Sequence, residues 1–366
     1  MRFYIKTYGC QMNIHESEKV AELARSLGLV QTTLMTDADL IIINSCSVRQ
    51  AAEDSVYGLG KPLKKCPAKP TVILMGCLTG AAKGPRRRYE ISYLKNKAPF
   101  IDHFLTYQEV LEELPKLVKS SKLKIKNYKL LSGLVSISEG CDNFCSYCIV
   151  PYSRGPEKSR SFEEIADEVK NLVNSGQTEI MLLGQNVNSW GKDLKDQTGC
   201  AGTAPTNTFA GLLRSLYGIS GLTKLSFLTS NPYDFGDDLL EVLKMPKIDR
   251  YLHLPVQSGD SEILRLMNRR YTREEFLQLV KKIKQAAPEI RIGTDIIVGF
   301  PGETERQFQN TLDLIKRVGF RQIFVAKYSP RKGTVSAETM PDDVPLAVKR
   351  RRHKVVLELS RKLGTV

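Results

Sequence analysis

The sequence predicts an α/β protein with two domains, each built on a parallel sheet covered by helices. Apolar, strand-like runs alternate with amphipathic helical stretches along most of the chain, and this alternation is typical of parallel sheets. The chain has 366 residues, 42% of them hydrophobic, so it can bury more than one core. A connector bearing Lys and Ser, at about 116–129, marks the expected boundary. The predicted domains are 1–120 and 130–330, followed by a basic helix within 340–366.

The first domain is predicted to be Rossmann-like. We expect a helix from about Glu16 to Leu27 and strands at Phe3–Tyr8, Leu40–Asn44 and Val72–Met75. A cysteine follows each of these strands, at Cys10, Cys46 and Cys77. Because the carboxyl ends of parallel strands meet at one edge of a sheet, we expect these cysteines to form one site. The alternative is that they are buried structural cysteines.

The second domain repeats the strand–helix rhythm six times, which predicts a partial (β/α)6 barrel. The expected strands are Leu134–Ser138, Glu179–Leu183, Lys224–Leu228, Tyr251–Val256, Arg291–Val298 and Gln322–Tyr328. The expected helices are Phe162–Asn174, Phe209–Leu216, Asp237–Leu243, Glu262–Met267, Arg273–Ala286 and Glu305–Arg317, and a basic helix at Leu346–Leu363 closes the chain. Ser161 and Glu164 form a predicted capping box, with Gly176 just past that helix. The working face of such a barrel is at the strand carboxyl ends, where Cys141 falls.

Three further cysteines lie together in the segment GCDNFCSYC, namely Cys141, Cys145 and Cys148. A structural zinc ion takes four protein ligands, whereas three thiolates match three irons of a [4Fe–4S] cluster and leave the fourth iron open. Such clusters support radical chemistry with S-adenosylmethionine (SAM). On spacing alone, a zinc knuckle with a distant fourth ligand, or inert thiols, remain alternatives. Cys66 and Cys200 follow no predicted strand and are left unassigned.

The charge pattern predicts a polyanionic partner. The formal net charge is +14, and the basic residues cluster at 61–69, 83–97, 116–129 and 349–352. Such patches suit nucleic acid, although any one of them could be only a solvated face. The sequence has no apolar run of about 18 residues that could span a bilayer and no signal-peptide core. A cytoplasmic location without membrane association is therefore expected, where eight cysteines indicate metal or redox chemistry.

The motifs resemble a known family. The chain is similar to the methylthiotransferase branch of the radical SAM enzymes, most closely to the tRNA 2-methylthio-adenosine synthases of the MiaB type. The matching segments are TYGCQMN (7–13), NSCSVRQAAE (44–53), GC (76–77), GCDNFCSYCIVPYSRG (140–155), LLGQNVNSW (182–190), LPVQSGDSEILRLMNRRYT (254–272) and TDIIVGFPGET (294–304). The resemblance argues against zinc and implies that the second domain is a radical SAM barrel.

The resemblance implies two [4Fe–4S] clusters, each with an open iron. Cys141, Cys145 and Cys148 would hold the cluster that binds and reductively cleaves SAM. Cys10, Cys46 and Cys77 would hold an auxiliary cluster that carries sulfur. One SAM would supply a methyl group and another the 5′-deoxyadenosyl radical, with electrons from a donor such as flavodoxin or ferredoxin. This chemistry requires no acid–base dyad, and the chain's four histidines are scattered.

Weaker predictions concern SAM contacts. Tyr147 resembles the family's aromatic residue near the SAM adenine. The side-chain amides of Gln185, Asn186 and Gln257 could orient the methionine and ribose groups. The segment from Asp295 to Gly299 resembles one that meets the adenine, with Gly299 allowing close backbone approach. These polar residues could equally satisfy only their own neighbours.

The resemblance implies the conversion of N6-isopentenyladenosine, at position 37 beside the tRNA anticodon, to its 2-methylthio derivative. The alternatives are methylthiolation of threonylcarbamoyl-adenosine in tRNA or of a ribosomal-protein aspartate, or a non-catalytic Fe–S sensor bound to RNA. The family's C-terminal RNA-binding TRAM domain is not expected here, because the sequence ends at Val366. We therefore expect the basic connector and the Leu346–Leu363 helix, with Arg350–Arg352, to take over part of the phosphate contact with the anticodon stem-loop. The protein is expected to be a monomer.

Overall fold

A computed structural model describes residues 1–48, 50–67, 69–118, 132–194 and 208–364. The chain divides into two compact units. The first comprises Met1–Asp142 with Ile149–Glu157, and the second comprises Asn143–Cys148 with Lys158–Val366. Most of the predicted connector, and Cys200, lie outside the described residues. The predicted domain ranges 1–120, 130–330 and 340–366 stay a prediction.

The first unit is an alternating series of short strands and helices. Its strands are β1 (Arg2–Tyr8), β2 (Val30–Gln31), β3 (Leu40–Ser45), β4 (Thr71–Gly76), β5 (His103–Phe104), β6 (Leu134–Ser136) and β7 (Ser138–Glu139). Its helices are α1 (Gln11–Ser26), α2 (Gln50–Gly58), α3 (Gly60–Leu63), α4 (Cys77–Lys83), α5 (Ile91–Lys97), α6 (Tyr107–Leu117) and α7 (Val150–Ser153). One 3-10 turn, Met35–Asp37, precedes β3.

The sheet of the first unit has the strand order β2-β1-β3-β4-β5, and all of its pairings are parallel. Both faces are covered, as is usual for parallel sheets. Along β3, Ile41 and Ile43 belong to one apolar cluster. The alternate residues Leu40 and Ile42 belong to the other. A strand buried on both faces explains the continuous apolar run LIIIN in the sequence.

The second unit continues the alternation with longer helices. Its strands are β8 (Lys158–Ser159), β9 (Glu179–Leu183), β10 (Lys224–Phe227), β11 (Tyr251–His253), β12 (Arg291–Val298) and β13 (Gln322–Lys327). Its helices are α8 (Phe162–Asn174), α9 (Phe209–Tyr217), α10 (Asp237–Leu243), α11 (Ser261–Leu266), α12 (Arg273–Ala286), α13 (Glu305–Val318), α14 (Val335–Thr339) and α15 (Leu346–Lys362). Two 3-10 turns occur at Val187–Ser189 and Pro232–Asp234.

Within the second unit, the strands from β9 to β13 pair in sequence order in two series, as in a (β/α) barrel. β9 pairs with β10, and β11, β12 and β13 form a second parallel series. A parallel bridge between Leu225 and Ile248 connects the two series. On β12 the buried residues Ile292, Thr294 and Ile296 alternate with the half-buried Asp295 and Ile297, so one face of the strand is more open. The α/β fold class with a partial barrel is confirmed.

Most predicted elements are present, several with the predicted bounds, including β9, β12, α8, α10 and α12. The capping prediction is half right, because Ser161 Oγ accepts from the Glu164 amide at 3.2 Å while no reciprocal bond from the Glu164 side chain is present among the described contacts. Helix α1 begins at Gln11, five residues before the predicted Glu16. Within the described ranges, no helix combines the length and apolar character that crossing a membrane requires.

Candidate iron–sulfur and SAM sites

Three cysteines lie at one edge of the sheet of the first unit. Cys10 follows β1, Cys46 follows β3, and Cys77 is the first residue of α4 after β4. The strand ends are aligned, because Tyr8 pairs with Ser45 and Ser45 pairs with Gly76. Neighbouring strands are about 4.8 Å apart. The register therefore places the three cysteines on adjacent strands at the same carboxyl edge, as the sequence predicted.

Gly76 permits the tight turn between β4 and α4 that presents Cys77. Its φ is +93°, in the region that L residues rarely adopt. A Cβ at this position would lie 2.3 Å from the Asn44 Oδ1 atom and 2.6 Å from the Ser45 carbonyl oxygen. No side chain fits there without moving β3, so glycine is required beside the cysteine.

A buried asparagine pair fixes the start of α1 against β3. The Asn13 amide donates to Asn44 Oδ1 at 2.9 Å, and the Asn44 amide donates to the Asn13 carbonyl at 2.8 Å. Asn13 Oδ1 also accepts from the Cys10 backbone N–H at 3.2 Å and from its thiol at 3.4 Å. Both asparagines are fully buried. This network holds Cys10 near the end of β3, where Cys46 follows.

The environment of Cys77 combines burial with a charged partner. Burial raises the pKa of the Cys77 thiol to about 12, while Arg154 lowers it and the charges of Cys46, Glu16 and Cys10 add to the rise. Arg154 Nε donates to Cys77 Sγ at 3.2 Å. A thiol must lose its proton to ligate a metal, and burial opposes that loss at Cys77 while Arg154 favours it.

Arg154 is itself buried, with 6% of its side chain exposed. Its Nη1 atom donates to Glu16 Oε1 at 2.5 Å and lies 3.5 Å from Glu139 Oε1. Burial alone would lower the pKa of Arg154, and its neighbours Cys77 and Glu16 instead hold it well above its ordinary value. The guanidinium thus stays cationic beside the sulfur edge.

The sheet edge offers three thiols, and thiolates are the ligands that hold iron–sulfur clusters. Among the described residues, no three His, Cys, Asp or Glu side chains lie close enough together to hold one metal ion. A [4Fe–4S] cube binds each thiolate through a different iron, so its cysteines stand farther apart than the ligands of one ion. Cys46 and Cys77 are buried, whereas Cys10 is exposed. An edge of three thiols with one open side suits a cluster that keeps one iron accessible.

The second cysteine motif is divided between the two units. Cys141 belongs to the first unit, and Cys145 and Cys148 belong to the second. Within the second unit, Ser146 holds the loop: its N–H donates to the Met267 carbonyl at 3.0 Å and its hydroxyl donates to the Leu266 carbonyl at 2.8 Å. Asn268, at φ +56°, donates to the Phe144 carbonyl at 2.9 Å. The end of α11 therefore positions Cys145 and Cys148.

Arg269 lies next to this loop and resembles Arg154 in placement. Its Nη1 atom donates to Cys145 Sγ at 3.4 Å. Nε donates to the Tyr271 hydroxyl at 2.9 Å, and Nη2 donates to the Pro255 carbonyl at 3.0 Å. Burial alone would lower the pKa of Arg269, and Tyr271, Tyr147 and Cys145 instead raise it well above its ordinary value.

The residues predicted to contact SAM lie in the second unit. Tyr147 packs edge-on against Phe300 with ring centroids 6.5 Å apart, and burial, with the nearby Cys145, raises its pKa well above the ordinary value. Gln257, at φ +72°, accepts from the Ile297 N–H and donates to the Asp295 carbonyl through its backbone, each at 2.9 Å. Backbone pairing therefore brings the Gln257 and Asp295 segments together beside β12.

The remaining predicted SAM contacts already have protein neighbours. The Asn186 amide donates to Asp234 at 2.8 Å. The carboxylate of Asp295 lies 2.7 Å from His253 Nε2. Gly299 has φ +70°, and a Cβ there would lie 2.4 Å from the Lys349 side chain. Gln185 is half-buried after β9. The SAM-contact assignments, like the cluster ligands, stay predictions.

Sequence reasoning missed both arginines and Glu16. Arg154 and Glu16 are separated by 138 residues, and Arg269 and Cys145 by 124. The available signal was position, since Arg154 lies in PYSRG directly after the cysteine motif and Arg269 lies in MNRRYT. A charged residue close to a cysteine motif in the sequence can therefore indicate a buried ion pair or hydrogen bond beside the cysteines.

The phosphate-binding role predicted for the basic helix α15 is wrong for Arg352. That side chain is buried and donates to Glu303 Oε2 at 2.8 Å and to the Glu303 carbonyl at 2.9 Å. Lys349 is also buried and pairs with Asp342. Arg351 pairs with Glu305 at 2.6 Å, and Arg350 is exposed. The amphipathic helix thus uses its basic residues largely for attachment to the second unit.

A parallel α/β barrel with this cysteine spacing, together with a sheet edge of three cysteines, defines a radical SAM enzyme with a second cluster site. Residues 135–315 match the model of the Radical SAM superfamily, and residues 2–95 match that of the Uncharacterized protein family UPF0004. The fold is similar to that of the radical SAM methyltransferase TsrM from Kitasatospora setae, with a TM-score of 0.57, 12% identity, and 92% of this chain and 77% of that chain covered. It is also similar to the cobalamin-dependent radical enzyme OxsB, with a TM-score of 0.55, 11% identity, and 99% and 56% of the two chains covered.

Curated relatives are more specific. The chain is 40% identical to the tRNA-2-methylthio-N(6)-dimethylallyladenosine synthase of Thermoanaerobacter sp. (strain X514), over 99% of this chain and 78% of that protein. It is 41% identical to the enzyme of the same name from Thermotoga petrophila, over 100% of this chain and 82% of that protein. The chain belongs to the family of tRNA-2-methylthio-N(6)-dimethylallyladenosine synthases, which are radical SAM methylthiotransferases.

Proposed function

We propose that this enzyme converts N6-isopentenyladenosine (dimethylallyladenosine) in tRNA to its 2-methylthio derivative. The observation that carries the proposal is the alignment of Cys10, Cys46 and Cys77 on three adjacent strand ends, in a chain whose relatives bear that activity in their names. A sulfur-transferring enzyme needs a second cluster site besides the one that cleaves SAM. The sheet edge of the first unit supplies the thiolates for it.

The family's cofactors are SAM and two [4Fe–4S] clusters. When bound, these groups supply the electron that cleaves SAM, the radical that removes a hydrogen atom from the base, and the sulfur and methyl that replace it. In this chain, Cys141, Cys145 and Cys148 would hold the SAM cluster, and Cys10, Cys46 and Cys77 the auxiliary cluster. Arg154 and Arg269 keep positive charge beside one cysteine of each set.

The residues proposed for SAM binding are Tyr147, Gln185, Asn186, Gln257, Asp295 and Gly299. Tyr147 offers an aromatic surface packed on Phe300, and Gln257 and Asp295 are held together by backbone bonds. The anticodon stem-loop would be the recognised part of the tRNA, consistent with the net charge of +14. A low-potential donor such as flavodoxin or ferredoxin would supply electrons.

The decisive experiment is anaerobic reconstitution with iron and sulfide. We expect about eight irons per chain, since two cubane clusters contain that number. With SAM, dithionite and tRNA bearing isopentenyladenosine, nucleoside mass spectrometry should detect the 2-methylthio product. Product on threonylcarbamoyl-adenosine tRNA or on a ribosomal-protein aspartate instead would overturn the assigned substrate, and a protein that cleaves no SAM would overturn the enzyme assignment.

Cysteine variants separate the two sites. The triple variant Cys10→Ala/Cys46→Ala/Cys77→Ala should keep about four irons and still form 5′-deoxyadenosine, but give no methylthio product. The triple variant Cys141→Ala/Cys145→Ala/Cys148→Ala should also keep about four irons and form no 5′-deoxyadenosine. Cys66→Ala is the matched control, because this buried cysteine contacts only backbone carbonyls of Met35 and Pro62 among its described hydrogen bonds.

A further inference from the structure

Arg154 is the one buried side chain that joins a cysteine of the sheet edge to carboxylates of the first unit, among the contacts described. Nε donates to Cys77 Sγ at 3.2 Å, while Nη1 donates to Glu16 at 2.5 Å. The third nitrogen, Nη2, is buried and has no hydrogen-bond partner among the described residues. A buried guanidinium N–H without an acceptor is costly, so such a group usually has a partner that is not part of the chain.

The charges around Arg154 are arranged to be nearly balanced. Glu16 is buried, with 4% of its side chain exposed, whereas the more distant Glu139 is 37% exposed and better screened. Asn44 also donates to Glu16, at 3.4 Å, which keeps the carboxylate in place. The sulfur of Cys77 therefore accepts a hydrogen bond from the Arg154 guanidinium. The positive charge of that group is compensated mainly by one buried carboxylate, that of Glu16.

We propose that Arg154 is a positioning residue of the auxiliary site, which anchors Cys77 and sets the reduction potential of the cluster held there, with Glu16 tuning its effect. The inference rests on the proposed function, because it assumes that Cys10, Cys46 and Cys77 hold a cluster. Hydrogen bonds to the sulfurs and local charge control the potential of Fe–S centres. Nη2, which has no partner among the described residues, would be available as a further hydrogen-bond donor to a cluster held by these cysteines.

Residues 149–157, which include Arg154, belong to a different unit from the cysteine loop that precedes them. They follow the cysteine motif directly in sequence and pack with the first unit, whereas residues 143–148 pack with the second. The motif that resembles the SAM-cluster signature of the family therefore also supplies a residue to the auxiliary cysteines. One sequence segment thus contributes to both sites.

The test measures the auxiliary cluster by itself, in full-length protein carrying Cys141→Ala/Cys145→Ala/Cys148→Ala. Redox titration followed by EPR gives its midpoint potential. In this background, Glu16→Gln should shift the potential to more positive values, because the arginine loses its counter-charge. Glu16→Gln/Arg154→Gln should shift it back to more negative values. Glu16→Gln/Arg154→Lys should keep most of the positive shift seen in Glu16→Gln, since lysine keeps the charge.

The double variant keeps the test interpretable, because Arg154→Gln alone leaves Glu16 unpaired and could fail to fold. Arg88→Gln is the matched control: Arg88 stacks on Tyr152 of the same unit, 3.7 Å from the ring centroid, and should leave the potential unchanged. Equal potentials in all variants, each with a full cluster, would overturn the role of Arg154 alone. A background protein that holds no cluster would overturn the proposed function and this inference together.

Discussion

The two units build their cysteine sites in opposite ways. In the first unit, the cysteines come from positions 10, 46 and 77 and lie at one edge of the sheet only because three strands pair in register. In the second, Cys145 and Cys148 share a single loop that is held by Ser146 and the end of α11. A site assembled from distant strand ends depends on the whole sheet, whereas a loop site depends on a few local bonds.

The buried arginines of the two sites also differ, in whether a carboxylate compensates their charge. Arg154 is neutralised by Glu16, whereas the described partners of Arg269 other than Cys145 are uncharged: Tyr271, Asn231 and the Pro255 carbonyl. Arg269 therefore leaves more uncompensated positive charge beside its cysteine. The same pairing of a cysteine with a buried arginine can therefore leave a different net charge beside the cysteines of the two sites.

The largest expected effect comes from breaking the sheet edge. Gly76→Ala should lower the reconstituted iron content from about eight to about four per chain, because only the auxiliary cluster is lost. The added Cβ would meet the Ser45 carbonyl at 2.6 Å, next to Cys46. Iron and sulfide analysis after anaerobic reconstitution measures this. 5′-Deoxyadenosine formation should persist, since the loop in the second unit is untouched.

Gly28→Ala is the control for this comparison. Gly28 also has a positive φ, +84°, but nothing lies within 4 Å of the position that an added methyl group would take. The control thus imposes the same backbone strain, about 1–2 kcal/mol, without a clash. If Gly76→Ala keeps its full iron content, the sheet edge does not control the auxiliary site.

The second prediction concerns a buried ion pair that should affect the free energy of unfolding but not the cysteine sites. Arg352→Met should destabilise the protein by about 3–5 kcal/mol, because it leaves Glu303 buried and unpaired. The pair is nearly inaccessible, with side-chain exposures of 4% and 1%. The midpoint of urea unfolding should fall while the auxiliary-cluster potential stays unchanged. Arg352→Met/Glu303→Met should recover much of the lost stability.

In contrast, Arg265→Gln should leave the urea midpoint unchanged, because the Arg265–Glu262 pair is exposed at 69% and 53%. A fall of equal size in this variant would show that the loss in Arg352→Met does not come from burial. A shift of the auxiliary potential in Arg352→Met would show that the role assigned to Arg154 is not specific.

A smaller effect is expected from the asparagine pairs, which occur in both units. Asn44→Ala should cost about 1–3 kcal/mol in the free energy of unfolding, because buried partners lose their hydrogen bonds. Asn188→Ala removes a comparable reciprocal pair, in which Asn188 and Asn231 exchange two bonds of 2.8 Å. Only Asn44→Ala should also weaken auxiliary-cluster retention, measured by iron loss to a chelator, since Asn13 holds Cys10. Equal retention in both variants would contradict the role given to the asparagine network.

The elements of the fold were predictable where periodicity and caps agree. The predicted bounds of α12 match the structure, in which Thr272 and Glu275 form a capping box before a strongly amphipathic run. The start of α1 was placed too late, because Cys10 is not a usual cap and Asn13 performs that role from inside the helix. The edge strands β2 and β5 have two residues each, too few to produce an alternating pattern.

The cysteines were predictable and their partners were not, for a physical reason. A thiol at the end of each strand is visible in the sequence, and strand order then brings the thiols to one edge. The pairing of Arg154 with Glu16 joins residues 138 positions apart in the sequence, which no local pattern encodes. For the same reason, Arg352 was interpreted as a surface charge, although it forms a buried ion pair with Glu303.

The smallest expected effect is on tRNA affinity, and its measurement tests which unit contacts the phosphates of the tRNA. Arg350 and Lys354 are exposed on α15 of the second unit, and Arg87 is exposed in the first. Each neutralised residue that contacts a phosphate should lower the slope of log affinity against log salt by about one. We expect this for Arg350→Gln/Lys354→Gln, measured by tRNA binding at several salt concentrations. Arg87→Gln should lower the slope only if the first unit also touches the backbone, and Arg265→Gln should leave it unchanged. An unchanged slope in the α15 variant, with a lower slope in Arg87→Gln, would move the phosphate contact from the second unit to the first.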